Sequence, residues 1–191
     1  MRPTVLLFDI DGTLVTTGGV GRRALERVFG ELYGREDAIS HIRLDGMTDR
    51  AIVRAGLTAA GAPMGPEEID RVLTAYVEIL EDEVARADPA RYYLHRGMEQ
   101  ALDRAAARRE VALGLGTGNI REGARVKLAR VGVFEKFRFG GFGSDHEERV
   151  ELIRRGAERG AALLGAPLAE CRVVIIGDTP KDVAAAKGIG A

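Results

Sequence analysis

The sequence predicts an α/β fold, a doubly wound (Rossmann-like) parallel sheet that is interrupted by a helical insert. Three apolar runs without polar alternation, Thr4–Phe8, Val111–Gly116 and 173–177, predict strands buried on both faces of such a sheet. Apolar residues recur at helical spacing between the later runs, and a short further strand is expected over 137–142. Strands that alternate with helices are typical of a doubly wound sheet.

One long stretch departs from this alternation. Residues 18–91 show only helical patterns, and the longest of these begins at Pro66, which two glutamates follow, as is common in the first turn of a helix. The glycine- and proline-rich segment 61–66 precedes it as a linker. We therefore expect residues 1–17 and 92–191 to form the α/β core, and residues 18–91 to form a helical cap.

The composition excludes several classes of protein. The 191 residues are 46% hydrophobic, which is enough to bury a core, and the net charge of −1 gives no support for a nucleic-acid partner. The apolar runs are too short to cross a membrane, and Asp9 interrupts the first one, so no signal peptide is indicated. A single cysteine, Cys171, excludes a disulfide framework and a multi-cysteine zinc site. We expect a cytoplasmic protein without membrane or nucleic-acid partners.

Acidic residues follow the first and the third predicted strands. Asp9 and Asp11 end the first run, and Asp178 and Asp182 come directly after the third. Each pair alone is also typical of a solvated turn or a helix N-cap. Because the carboxyl ends of parallel strands meet at one edge, we expect the four acids to converge where open α/β sheets bind ligands. Clustered carboxylates repel one another unless a cation intervenes, and oxygen ligands suit Mg²⁺.

The second predicted strand leads into a different motif. Thr117, Gly118 and Asn119 come directly before a predicted helix, and exposed backbone N–H groups at a helix N-terminus bind phosphate. The glycine spacing does not match a dinucleotide-binding fingerprint. The motif therefore indicates a phosphate site rather than a nicotinamide or flavin site.

The order of these motifs resembles that of the haloacid dehalogenase-like superfamily of phosphatases. The residues that carry the resemblance are Asp9-x-Asp11-Gly12-Thr13, then Thr117-Gly118-Asn119, then Gly177-Asp178-Thr179-Pro180-x-Asp182. The helical insert after the first motif resembles the C1-type cap of that superfamily. Within it, the stretch 44–49 and the overall layout look most like phosphoglycolate phosphatase-like hydrolases.

The resemblance implies a two-step phosphoryl transfer. Asp9 is expected to attack phosphorus and form an aspartyl-phosphate, and Asp11 to serve as general acid and then as general base. The expected Mg²⁺ ligands are Asp9, the backbone carbonyl of Asp11 and Asp178, with Asp182 in support. Thr117, Gly118 and Asn119 are expected to hold the phosphate.

The resemblance also leads us to expect Asp49 or Arg50 to face the leaving group from the cap.

One residue of the family pattern is missing. The family places a lysine between the second and last motifs, but there is none between Lys136 and Lys181. Lys127 falls within the preceding predicted helix and Lys136 in a loop, so neither is expected at the site. Arg149 is the best replacement, since a guanidinium binds phosphate bidentately, although its geometry differs from that of an ammonium.

The function predicted in this way is a Mg²⁺-dependent phosphomonoesterase for a small phosphorylated metabolite, with phosphoglycolate as a candidate substrate. A sugar phosphomutase of the same fold is one alternative, and an inactive metal- or phosphate-binding regulatory protein is another. Asp11 argues against a haloalkanoic acid dehalogenase, and the lack of lysine in residues 18–95 argues against a phosphonatase.

The last predicted helix ends close to residue 191. Chains that resemble this family continue from such a turn into at least one more strand, so we expect the α/β core to be truncated at its C-terminal end. The sheet edge beside the last motif would then be uncovered, which predicts self-association as a homodimer.

Overall fold

The computed structural model describes residues 2–191, which form six strands, seven α-helices and two short 3-10 helices. The strands are β1 (Thr4–Phe8), β2 (Val15–Thr16), β3 (Tyr93–Leu94), β4 (Val111–Gly116), β5 (Gly140–Gly141) and β6 (Arg172–Ile176). The α-helices are α1 (Val20–Tyr33), α2 (Asp49–Ala60), α3 (Pro66–Ala85), α4 (Met98–Ala106), α5 (Arg121–Ala129), α6 (Arg149–Leu163) and α7 (Pro180–Gly188). The 3-10 helices are Phe134–Lys136 and Leu168–Glu170.

Four parallel strands form the central sheet in the order β5-β4-β1-β6. The chain moves outward from β1 through β4 to β5, and then crosses to β6 on the other side of β1. This reversal creates a switch point between β1 and β6, which is where ligands bind in open α/β sheets. The predicted fold class is confirmed.

Side chains of β1 alternate between the two helical layers that cover the sheet. Val5 and Leu7 pack with buried residues of α6, while Phe8 faces the opposite layer with Leu102 of α4 and Leu128 of α5. A strand that is buried on both faces has no polar side to show in its sequence, which explains why it reads as a continuous apolar run.

The helical insert, by which we mean residues 18–91, contains α1, α2 and α3. Its core includes Phe29 and Tyr76, and it extends to Ile120 and Val126 beside and within α5, so the insert packs directly on the sheet domain. The antiparallel pair β2–β3 closes its base. There, the His95 ring hydrogen-bonds to Thr16 Oγ1 at 2.8 Å, which fixes the two connecting segments to each other.

Helix α3 follows the predicted pattern closely, since it begins at Pro66 and buries one apolar stripe. Across residues 2–191, no helix combines the length and the apolar character that crossing a membrane requires.

Helix α6 packs against β5 more closely than a side chain would allow. A Cβ built on Gly141 would lie 1.8 Å from the Leu152 carbonyl oxygen and 3.0 Å from the Gly156 backbone nitrogen. We expect Gly141→Ala to lower the free energy of unfolding by about 2–4 kcal/mol, because backbone must move to admit the methyl group. Urea denaturation followed by circular dichroism measures this change.

Gly65→Ala is the matched control, because a Cβ there meets no heavy atom within 4 Å and the φ of −66° suits any residue. Its effect should stay below about 1 kcal/mol. Equal losses in the two variants would contradict the packing described for α6.

Candidate active site

The carboxyl ends of β4, β1 and β6 are neighbours in the sheet, and the residues that follow them line one cavity of about 820 Å³. The helical insert forms the opposite wall. Of the residues singled out from the sequence, those that line the cavity are Asp9, Asp11, Asp49, Thr117, Gly118, Asn119, Arg149 and Asp178. Asp182 is buried directly beside it.

Asp9 is held in a buried position directly after β1. Its backbone N–H donates to the Ile176 carbonyl oxygen at 2.9 Å, and its Oδ2 lies 3.1 Å from a guanidinium nitrogen of Arg149. Burial raises the pKa of Asp9 to about 6, and the Arg149 charge acts in the opposite direction. The structure thus brings Arg149, from the first turn of α6, into direct contact with Asp9.

Asp9, Asp178 and Asp182 form a carboxylate cluster between β1 and β6. One oxygen from each lies within 4.8 Å of the others, which suits a single cation. Asp182 is fixed by the Thr179 backbone N–H at 3.1 Å, by the Thr179 hydroxyl at 2.7 Å and by Arg149. The donor set consists of oxygen alone, so these residues fit Mg²⁺ better than a softer metal.

Gly12 makes the approach of Asp178 to β1 possible. Its φ is +81°, and a Cβ at this position would lie 2.2 Å from an Asp178 carboxylate oxygen. The hydroxyl of the neighbouring Thr13 donates to Asp178 Oδ1 at 3.3 Å. Both the backbone conformation and the contact therefore require glycine at position 12.

Lys127 reaches the site, contrary to the expectation from its position within a helix. Its Nζ donates to Asp11 Oδ2 at 2.8 Å and to Asn119 Oδ1 at 2.7 Å, and Asn119 Nδ2 also donates to Asp11 Oδ2 at 2.9 Å. Burial favours the protonated form of Asp11, but the Lys127 ammonium, together with hydrogen bonds from Asn119 and Thr17, outweighs burial and lowers the pKa of Asp11. Because a lysine stem spans four carbons, the ammonium crosses from α5 to the loop after β1.

The phosphate motif after β4 contains two backbone N–H groups that are expected to bind phosphate, those of Gly118 and Asn119. The Asn119 N–H donates to Thr117 Oγ1 at 3.2 Å. The Gly118 N–H has no hydrogen-bond acceptor within residues 2–191. The Gly118 carbonyl oxygen accepts a hydrogen bond from the Asp49 N–H at 2.8 Å, so the insert holds this residue in place.

The insert docks on the core through the start of α2. Asp49 is buried, and its Oδ2 accepts from the Ile120 backbone N–H at 2.8 Å. The Thr48 hydroxyl donates to the Glu147 carbonyl oxygen at 3.0 Å, and Arg54 forms a two-point ion pair with the Glu147 carboxylate. These contacts join the insert to the sheet domain beside the cavity.

Arg50 lies away from the cavity, unlike its neighbour Asp49. Its guanidinium pairs with Asp70 of α3 at 2.7 Å on the insert surface. Consecutive helical residues point about 100° apart, so only one of the two can face the core. The expectation that Arg50 faces the leaving group is therefore not supported.

The cavity lining includes residues that the sequence did not single out, among them Lys127, Tyr76, Arg22 and Arg43. Tyr76 lies among the buried residues of α3, so its spacing in the sequence is that of the apolar stripe of this helix. The one signal for Lys127 was the rarity of lysine in the chain, since Lys127 is one of only four.

Comparison with known families agrees with this geometry. A family model described as haloacid dehalogenase-like hydrolase matches residues 3–190. The chain belongs to the haloacid dehalogenase-like hydrolases, and the resemblance inferred from its motifs is confirmed. No curated protein matches the chain in sequence.

Solved structures share the fold at low sequence identity. CbbY from Rhodobacter sphaeroides in complex with phosphate is 22% identical, with a TM-score of 0.72 over 100% of this chain and 84% of that one. A protein designated a phosphoglycolate phosphatase from Lactobacillus plantarum is 16% identical, with a TM-score of 0.66 and the same two coverages. A protein designated a β-phosphoglucomutase from Thermotoga maritima is 23% identical, with a TM-score of 0.55 over 98% of this chain and 82% of that one.

The buried Asp49 carboxyl predicts a pH-dependent stability. Burial raises its pKa to about 6 from 3.8, so as the pH rises the unfolded chain loses this proton before the folded protein does. Asp49 therefore costs stability above pH 6 but not below pH 4. Asp49→Asn keeps an oxygen that accepts from the Ile120 N–H. Relative to wild type, we expect it to gain about 2–3 kcal/mol between pH 4 and pH 8 in urea unfolding.

Asp37→Asn is the control, because the exposed Asp37 pairs with Arg35, which lowers the pKa of Asp37. Because the folded and unfolded pKa values of Asp37 both lie at or below 3.8, the stability of this variant relative to wild type should stay nearly constant between pH 4 and pH 8. A difference between Asp49→Asn and wild type that does not change with pH would contradict the burial argument.

Proposed function

We propose that the protein is a Mg²⁺-dependent phosphomonoesterase that acts through an aspartyl-phosphate on Asp9, with a small phosphorylated metabolite as substrate. The observation that carries the proposal is the position of Asp9, which contacts the Arg149 guanidinium and shares a carboxylate cluster with Asp178 and Asp182, in a cavity that the insert also lines. Phosphate bound to CbbY, a protein of similar fold, adds support.

In the first step, Asp9 attacks phosphorus and the alcohol leaves. Arg149 stabilises the negative charge that Asp9 and the transferring phosphoryl group share. The free Gly118 N–H donates to a phosphate oxygen, and Thr117, which also lines the cavity, supports this contact. Asp11 donates a proton to the leaving oxygen.

In the second step, water attacks the aspartyl-phosphate and Asp11 takes its proton. The Lys127 ammonium favours the carboxylate form of Asp11, which is the form a general base needs. Asn119 holds both groups through its side-chain amide, so the proton acceptor has a fixed orientation.

The residues that would hold Mg²⁺ are Asp9, Asp178 and the backbone carbonyl of Asp11, with Asp182 in support. When bound, the metal supplies positive charge that offsets the repulsion between Asp9 and an anionic substrate.

A sugar phosphomutase is the second candidate, since the fold is shared with a protein designated a β-phosphoglucomutase. The same carboxylates serve both reactions, and the two differ in whether water or a sugar hydroxyl accepts the phosphoryl group. Release of free phosphate from a sugar phosphate, without an isomerised ester, favours the phosphatase.

The proposal predicts loss of activity on removing the metal or the nucleophile. We expect chelation with EDTA to abolish phosphate release from a panel of phosphate esters that includes 2-phosphoglycolate, sugar phosphates and nucleotides, and added Mg²⁺ to restore it. Asp9→Asn should lower kcat by at least about 10⁴-fold, because the covalent step is lost. Colorimetric phosphate detection measures both effects.

Asp70→Asn is the control, since this acid lies on the exposed surface of α3 and pairs only with Arg50. It should turn over at the wild-type rate. Full activity in Asp9→Asn, or full activity without a divalent metal, would disprove the proposal.

The Arg149 contact predicts a graded series. Arg149→Met should reduce kcat/KM by about 10²–10³-fold, because the charge beside Asp9 is lost, while Arg149→Lys should recover part of it. Arg155→Met, one turn and a half further along α6 and paired only with Glu158, is the matched control and should behave as wild type. Equal activity of the Met and Lys variants at position 149 would show that charge there is not used.

A further inference from the structure

The Tyr76 hydroxyl opens on the cavity and has no protein partner. The residue is 1% exposed and lines the cavity from α3, and no hydrogen bond to its hydroxyl is found anywhere in residues 2–191. No fully buried side-chain nitrogen or oxygen in these residues lacks a hydrogen-bond partner, so this hydroxyl is open to the cavity and not sealed in the core. It is therefore available to donate to a group bound in the cavity. Burial raises the pKa of Tyr76 well above its usual value, so the hydroxyl remains protonated and can donate.

A second donor lies next to this hydroxyl. Lys127 is 5% exposed and uses two of its three N–H groups, on Asp11 and Asn119, and no third acceptor is found in the described part of the chain. A Cβ on Gly21 would lie 3.3 Å from Lys127 Nζ and 3.4 Å from the Tyr76 hydroxyl oxygen. The two donors thus converge on the bare Cα of Gly21, which also lines the cavity.

The charges around Lys127 determine which kind of acceptor suits this point. Its ammonium already pairs with the Asp11 carboxylate at 2.8 Å, and the nearby Asp49 carboxylate adds further negative charge. An anionic group beside Lys127 would add to the negative charge that Asp11 and Asp49 already place there, whereas a neutral oxygen accepts both hydrogen bonds without that repulsion. A hydroxyl or a carbonyl therefore fits better than a carboxylate.

From this geometry we infer that Tyr76, Lys127 and Gly21 form a subsite for a neutral oxygen, hydroxyl or carbonyl, on the organic part of the phosphate ester. The inference rests on the proposed function, and it narrows the substrate class to hydroxylated or carbonyl-bearing esters rather than carboxylates such as phosphoglycolate. Tyr76 is a specificity residue in this account, since it contacts the substrate beside Asp11 and takes no part in proton transfer.

Four small esters test the subsite. They are propyl phosphate, which lacks a further oxygen, glycerol 3-phosphate with hydroxyls, dihydroxyacetone phosphate with a carbonyl, and 2-phosphoglycolate with a carboxylate. For the wild type, we expect kcat/KM for the better of the hydroxyl and carbonyl esters to exceed that for propyl phosphate and for 2-phosphoglycolate by at least about tenfold. The ranking of glycerol 3-phosphate against dihydroxyacetone phosphate identifies the preferred oxygen.

Two variants remove the subsite in different ways. Tyr76→Phe deletes only the hydroxyl, and we expect it to reduce the preference for the oxygenated ester over propyl phosphate by about fivefold to tenfold. Gly21→Ala places a methyl group 3.3 Å from Lys127 Nζ and 3.4 Å from the Tyr76 hydroxyl oxygen, which narrows the space beside the two donors. It should cause a similar loss while the fold is retained, since alanine favours a helix. Tyr33→Phe, the same change on a cap tyrosine that pairs with Glu68, should keep the wild-type preference.

Binding separates this inference from the proposed function. If no ester releases phosphate, the phosphatase proposal fails, and the subsite is then tested by calorimetric titration of Asp9→Asn with glycerol 3-phosphate, dihydroxyacetone phosphate and propyl phosphate. Tighter binding of an oxygenated ester, lost on adding Tyr76→Phe, supports the subsite. Equal affinity for all three, no binding of any, or an unchanged preference in Tyr76→Phe would overturn it.

Discussion

Repulsion between carboxylates is the constraint around which this site is built. A parallel sheet brings Asp9, Asp178 and Asp182 to one point and places Asp11 two residues beyond Asp9, and such a group is unstable without positive charge. Two cations from helices on opposite faces of the sheet supply it. Arg149 of α6 pairs with Asp9 and Asp182, and Lys127 of α5 pairs with Asp11. The carboxylate oxygens of Asp9, Asp178 and Asp182 are spaced so that they suit one further cation.

Pairing with different cations gives the two acids of the first motif different properties. Asp9 is buried and its pKa is raised, whereas Lys127 lowers the pKa of Asp11. Two acids that lie close together thus acquire environments that push their pKa values apart, as is typical of sites that divide nucleophilic and proton-transfer roles. Buried ion pairs contribute little net stability, so the arrangement is better explained by chemistry than by folding. The insert completes the site, because the Asp49 N–H donates to the Gly118 carbonyl oxygen from the opposite wall of the cavity.

The sequence was sufficient for the fold and for the acids, because both depend on local patterns. Apolar runs locate β1, β4 and β6, and residues that end parallel strands must meet at one edge. Lys127 and Tyr76 could not be found in this way. A lysine stem reaches across to a loop that periodicity does not relate to α5, and a tyrosine in an apolar stripe looks like core until its hydroxyl is seen to lack a partner. The hydrogen bond from the Asn119 N–H to Thr117 Oγ1 depends on the rotamer of Thr117, which the sequence does not specify.

The most direct test of the account is to trap the phosphorylated residue. Asp11→Asn removes the group that assists both steps, so the substrate is p-nitrophenyl phosphate, whose leaving group needs no proton. The second step is then slowed more than the first, and the aspartyl-phosphate should accumulate when the protein is mixed with this substrate and Mg²⁺ and quenched with acid. Reduction with borohydride converts an aspartyl-phosphate to homoserine, which peptide mass spectrometry locates. We predict homoserine at position 9, and none when substrate is omitted. Homoserine at another position, or none in a protein that releases phosphate, would contradict the assignment of Asp9 as the nucleophile.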